Sequence, residues 1–288
     1  MRHDSFGEFL DRHPPARGPV ALILAEDSVE VDSTLRHHLK AGFAQVLLLA
    51  PPVIEVDPQI EALVHRIDHD VHAEGAMVAA VNRLIASAAP ETWIYYCFNA
   101  EYLFHPFCET RNIREMCAFQ AEERRDAFLS YVIDLYAGDL ACFPDAVSLE
   151  TAMMDRSGYY SLSREDAADN YRPRDRQMDF FGGLRWRFEE HVPWDRRKID
   201  RIALFRTRPG LELRPDFTFD DQEYNTYACP WHNNITTAVM SFRTAKALRS
   251  NPGSREAIRN FRWHGSATFN WQSQQLMDLG LMEPGQWF

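Results

Sequence analysis

The stretch "WIYYCFNAEYLFHPF", Trp93 to Phe107, decides how this chain is read. It opens on Trp93–Phe98, a run of aromatic and apolar residues that suit a pleated, buried surface. An Ala-Pro break at Pro90 precedes the run and Pro106 follows it. A short apolar run between such breaks signals a strand rather than a helix. The run then passes into Asn99, Glu101 and His105, residue types that bind metals and hydroxyls. In open α/β sheets, ligands sit outside the carboxyl ends of the strands. Polar residues at such an end are therefore site candidates. The competing reading makes them the first solvated residues of a loop.

Upstream, Val20–Ala25 reads as a first strand ending at Glu26 and Asp27. "VEVDSTLRHHLKAGF" follows as a helix, with Leu35, Leu39 and Phe43 as its apolar positions. "QVLLLAPP" is a second strand stopped by Pro51 and Pro52, "RIDHDV" a third, and "AEGAMVAAVNRLIASAA" a helix. This strand–helix–strand order with short connections implies a parallel sheet with helices on its faces. Its first, second and fourth strands are expected side by side or one apart. Downstream, Asn112 to Tyr136 reads as one long helix with Asn112 as its N-cap. "GGLRWRF" reads as a strand carrying Arg185 and Arg187 on one face, "KIDRIALFR" as a strand, and "NNITTAVMSFRTAKALRS" as a helix. The C-terminal "EPGQWF" is apolar at its tip and is expected to dock.

The 288 residues allow a sizeable core, and no linker-like stretch or internal repeat divides them. No run is long and apolar enough to span a bilayer, and the charged N-terminus has no secretory h-region. Five cysteines without C-x-x-C spacing fit reduced thiols in a cytoplasm and argue against a zinc ribbon. A net charge of -11 argues against a general nucleic-acid binder, whose affinity comes from neutralising phosphates. It leaves room for a nucleotide ligand. Arginines crowd the stretch from Arg172 to Gly210, which suits an anionic small molecule or a solvated mixed-charge face.

Each candidate group has a bland alternative. Glu26 at the end of the first strand can accept hydrogen bonds from a base or ribose, while Asp27 or Ser28 suits a helix cap. His65, Asp68, His69, Asp70 and His72 include metal-binding types, but no regular element turns all of them to one side. A single carboxylate, Asp68, touching a nucleotide fits that stretch better. Glu101 suits Mg2+ or Mn2+, which prefer oxygen ligands, and Asn99 adds a carbonyl oxygen without charge. Arg185 and Arg187 suit a diphosphate, and Glu189 or Glu190 a general base; the alternative is a bulged strand with surface ion pairs. His232, beside Asn233 and Asn234, reads as a metal ligand, a phosphate contact or part of a capping cluster. The Walker A, Rossmann and nucleophile-elbow signatures are absent.

Taken in order, these pieces resemble the glycosyltransferase family 2-like proteins, in the branch tied to bacterial surface polysaccharides. "AEDSVEVDSTLRHHLKAGFAQVLLLAP" is similar to that branch's first strand, helix and second strand. "WIYYCFNAEYLF" is similar to its Trp-led strand ending in an acidic D-x-D-E-F motif, with Asn99 at the first acidic position and Glu101 at the second. "GGLRWRF", "KIDRIALFR" and a His followed by "SFRTAK" match its later order. The resemblance implies a GT-A-like α/β fold: a mostly parallel sheet flanked by helices, with an elaborated C-terminal half. It implies a single domain over residues 1–288, with a nucleotide-binding half (1–110) and an acceptor half (111–288). The implied activity moves a sugar from a nucleotide-sugar donor to a glycan, lipid or protein acceptor, in the cytoplasm or at the inner membrane's surface. The expected roles are nucleotide contacts at Glu26, Asp68 and Arg185, Mn2+ or Mg2+ at Asn99, Glu101 and His232, and a catalytic base at Glu189. The rival readings are a non-catalytic binding protein of the same fold and a metal-dependent hydrolase built on His65, His69 and His72.

Overall fold

A computed structural model describes residues 1–229 and 232–287. The chain opens with strand β1 (Arg2–His3) and helix α1 (Phe6–Arg12). Strands and helices then alternate: β2 (Val20–Leu24), α2 (Val31–Ala41), β3 (Gln45–Ala50), α3 (Pro58–Glu61), β4 (His65–Asp68), α4 (Ala76–Ser87) and β5 (Trp93–Phe98). The second half begins with β6 (Glu101–Phe104), α5 (Ile113–Glu122), β7 (Ala127–Ala137), β8 (Ala152–Asp155), β9 (Tyr160–Asp166) and β10 (Arg172–Phe181). It continues with α6 (Gly183–Arg187), β11 (Asp200–Arg206), β12 (Thr236–Ser241), α7 (Arg243–Ser250), α8 (Pro252–Arg255), β13 (Ser266–Thr268) and α9 (Ser273–Asp278).

One mixed sheet organises the α/β fold, in the order β1-β4-β3-β2-β5-β11-β7-β12-β6, with β8 and β13 branching from β7. The first five strands of that order are parallel throughout. β11 then runs antiparallel to both β5 and β7, and β6 antiparallel to β12. β9 and β10 form a separate antiparallel hairpin.

The strand period of two sorts the core. Val20, Leu22 and Leu24 of β2 pack with Phe6, Phe9, Met77 and Leu84 from α1 and α4 on one face. Ala21 and Ile23 pack with Val31, Leu35, Ile113 and Met116 from α2 and α5 on the other. Each large aliphatic side chain buried this way contributes about 1.5–3 kcal/mol. Because α2 and α4 cover opposite faces, the chain leaves β2 in one direction and returns to β5 from the other. The boundary between β2 and β5 is thus a topological switch point, the place where open α/β sheets bind their ligands.

The expected first, second and fourth strands are β2, β3 and β5, and they lie side by side. Three elements differ from expectation. The long helix over 112–136 is a helix, α5, followed by the strand β7. Arg124 adopts a left-handed φ of 58° and breaks the helix, and "AFLSYVIDLYA" carries the β-branched and aromatic residues that a buried central strand favours. "GGLRWRF" is helical, because Gly182 and Gly183 turn the chain with φ of 154° and 64°. The helix expected over "NNITTAVMSFRTAKALRS" divides into β12 and α7. Trp287 docks as expected, buried against His105, Phe107 and Phe119, and Phe288 lies outside the described residues. No helix among the described residues is long and apolar enough to cross a membrane.

His38 of α2 shows what this packing does to a titratable group. It is fully buried, stacks on Tyr95 with ring centroids 5.2 Å apart, and its Nδ1 lies 2.8 Å from the Thr34 carbonyl oxygen. Burial, reinforced by neighbouring His37, holds its pKa down to about 3. The folded state therefore resists a proton that the unfolded chain accepts near pH 6.5. Its stabilising contribution is present above that pH and is lost as pH falls. Urea unfolding at pH 7 and pH 5 is expected to show a loss of about 2 kcal/mol from this residue, absent in His38→Gln.

Candidate functional site

The carboxyl ends of β2 and β5 bring Glu26, Asp27 and Asn99 together. Asn99 does not face solvent. It is fully buried and uses its whole amide: its Oδ1 accepts from the Glu26 N–H at 2.9 Å, while Nδ2 donates to the Asp27 Oδ1 (2.6 Å) and to the Val29 carbonyl oxygen (2.8 Å). The loop after β2 is thereby stapled to the end of β5. Ala100 follows with a left-handed φ of 58° and turns the chain back into β6.

Glu101 opens β6 and is also buried. Its Oε2 accepts from the Phe98 N–H at 2.9 Å and from the Arg201 guanidinium at 2.5 Å, and its Oε1 accepts from the Ser241 hydroxyl at 3.0 Å. One carboxylate thus joins β5, β6, β11 and β12. Burial works to raise its pKa, but Arg201 and the Phe98 N–H outweigh burial and hold it below the usual carboxylate range. The solvated-loop reading fails here: Asn99, Glu101 and His105 are all buried.

Two further ion pairs close the outer rim. Arg243, at the start of α7, makes a bidentate pair with Glu26 through bonds of 2.7 Å each. Its guanidinium carbon sits 3.8 Å above the centre of the Phe98 ring. Lys246, one turn later, donates to both oxygens of Asp27 at 2.9 and 2.8 Å. Burial acts to raise the Asp27 pKa, and Lys246 with the Val29 N–H overrides it. Unlike Glu101 and Arg201, three of these four rim side chains reach solvent: Arg243 and Asp27 are 38% and 44% exposed and Glu26 is partly exposed, whereas Lys246 is buried behind Asp27.

The other expected site residues are spread apart. Asp68 ends β4, at the same edge of the parallel sheet but two strands from β2, roughly 10 Å away by strand spacing, and it pairs with Arg2 at 3.1 Å. Arg185 lies near the carboxyl ends of β7 and β12, held by the Thr244 hydroxyl and the Lys198 carbonyl, and 3.6 Å from buried Asp134. Because α6 is a helix, Arg185 and Arg187 diverge, and Arg187 pairs with Asp155 under Trp263. Glu189 stands on a short turn of 3-10 helix, exposed, with Arg197 3.0 Å away. His232 precedes β12, whereas Ser241, the Glu101 partner, ends it. That strand separates them by roughly 17 Å, so His232 and Glu101 cannot share a metal. His232 instead lies 3.9 Å from Glu123. Pro230 and Trp231, in the stretch read together with it, lie outside the described residues.

A divalent metal does not fit this donor set. Asn99 and Glu101 have spent their oxygens on protein donors, and His232 is at the wrong end of a strand. Among the described residues, no group of three His, Cys, Asp or Glu side chains converges to hold an ion. The His65, His69 and His72 reading meets the same difficulty: His65 packs on Phe9 beside His3 and His13.

Sequence reasoning missed Arg201, Ser241, Arg243 and Lys246. The signal for the last two was present. Cations in the first turn of a helix oppose its dipole, so Arg243 and Lys246 at the start of α7 needed anionic partners. No protein-family model matches the chain, and no curated protein matches it.

Asn99→Asp replaces an amide that donates to Asp27 and Val29 with a carboxylate facing Asp27. It is expected to cost about 2–3 kcal/mol of stability, not to strengthen a metal site. Glu101→Gln leaves Arg201 as an unpaired buried charge and is expected to cost about 3–5 kcal/mol. Chemical denaturation of the two variants measures both.

Proposed function

We propose that the protein is a GT-A-type glycosyltransferase that moves a sugar from a nucleoside diphosphate donor to an acceptor hydroxyl, as in surface-polysaccharide synthesis. The observation that carries this reading is the placing of Glu26 and Asp27 at the switch point between β2 and β5. Ligands of open α/β sheets bind at such points. Glu26 is the carboxylate for the nucleotide's base or ribose. The parallel half β1-β4-β3-β2-β5 with helices on its faces fits the sheet expected from the sequence resemblance.

The chemistry sets what else is required. The bond between the sugar C1 and the diphosphate oxygen breaks as a bond forms from C1 to the acceptor oxygen. The acceptor's proton passes to a base, and the diphosphate leaves with added negative charge. Glu189 is the proposed base, since its carboxylate reaches solvent and its partner Arg197 lies over the exposed Trp194 ring. The metal-dependent hydrolase reading is not pursued, because its histidines lack a common centre among the described residues.

A thermal-shift screen of nucleoside diphosphates and their sugars tests the proposal. The matching nucleotide, at about a hundred times its Kd, is expected to raise Tm by about 5 °C or more. Glu26→Ala is expected to lose most of that shift, while Glu189→Gln keeps it and loses transfer. A chain that responds to no nucleotide is not a transferase of this class.

A further inference from the structure

We infer that the nucleotide's diphosphate is held by side-chain cations, Arg243 and Lys246, in the position where the resembling family uses a divalent metal. This rests on the transferase reading and concerns how that site neutralises charge. A leaving diphosphate needs positive charge beside it. The usual oxygen donors for a metal are committed here: the Asn99 amide is saturated, and Glu101 is locked to Arg201 and Ser241. Arg243 and Lys246 stand at the same edge, each paired with a carboxylate of the loop after β2.

Three features suit Arg243 and Lys246 to this role. Both are within one turn at the start of α7, where the helix dipole adds to their charge. The Ser241 hydroxyl accepts from the Arg243 N–H at 3.2 Å, and Phe242 at the N-cap adds no side-chain acceptor for the other first-turn N–H groups. Their present partners, Glu26 and Asp27, are partly exposed carboxylates on the loop after β2, not buried anchors. An arriving nucleotide can take Glu26 with its ribose or base and present phosphate oxygens to the freed guanidinium fork. Arg243 can then exchange one bidentate oxyanion partner for another. Its position over Phe98 fixes the fork in place during the exchange. Arg201 cannot join in, because it is buried and neutralised by Glu101.

Calorimetric titration of the full chain with a panel of nucleoside diphosphates, in EDTA and then in Mn2+, decides the matter. The expected result is binding in EDTA, changed by no more than about threefold when Mn2+ replaces the chelator. Arg243→Gln and Lys246→Gln are each expected to weaken it by about tenfold or more, as loss of a charge-assisted bond requires. Arg243→Lys, which keeps the charge but not the fork, is expected to fall between wild type and Arg243→Gln. Circular dichroism melting of each variant confirms that it is folded at the titration temperature. Binding seen only with Mn2+ overturns the inference and leaves the transferase reading standing. Binding in EDTA that survives all the substitutions overturns it as well. If no nucleoside diphosphate binds in either condition, both readings fall.

Discussion

The buried pair between Glu101 and Arg201 is the constraint around which the rest of the sheet edge is arranged. Two charges removed from water need near-complete mutual and hydrogen-bonded compensation. Glu101 obtains it from three strands besides its own: Phe98 on β5, Arg201 on β11 and Ser241 on β12. That requirement explains why the chain reverses at Ala100 and starts β6 there. With Glu101 turned inward, the preceding Asn99 has its side chain at the end of β2, where it organises the loop carrying Glu26 and Asp27. The Thr34 hydroxyl of α2 accepts from the Ala100 N–H, so the helix over this face is tied to the same turn.

From the buried pair outward, charge is arranged in layers. Glu101 and Arg201 are sealed in, while Glu26 with Arg243 and Asp27 with Lys246 sit at the rim. The inner layer holds the fold. The outer layer is close enough to water to exchange partners. In the proposed nucleotide complex, such a division would let Arg243 exchange Glu26 for a phosphate while Glu101 stays paired with Arg201.

The parallel half of the fold was legible because its signals are local. Val20–Leu24, Gln45–Ala50 and Trp93–Phe98 are short apolar runs bounded by turns, and Ala76–Ser87 has the helical period. The misread stretch from 112 to 136 failed at the boundary near Arg124, where Phe128, Val132 and Leu135 of a buried strand continue the apolar spacing of a real helix. At the sheet edge, sequence reading placed Glu26 at the end of the first strand and noted that Asn99 brings no charge. It took Glu101 for a ligand because its partner, Arg201, lies 100 residues away. No local pattern distinguishes a carboxylate paired across a sheet from one awaiting a metal. His232 was placed by its position before an expected helix and by the resemblance, but that stretch opens with strand β12, which puts His232 at the far end of the sheet.

A crystal structure of the chain grown with a nucleoside diphosphate and Mn2+, with anomalous data collected for manganese, tests this division most directly. The expected map shows phosphate oxygens at hydrogen-bond distance from Arg243 and Lys246. It also shows Glu101 still paired with Arg201 and no manganese on the Asn99 or Glu101 oxygens. A manganese ion bridging Glu101 to the diphosphate, with Arg201 displaced, would contradict it.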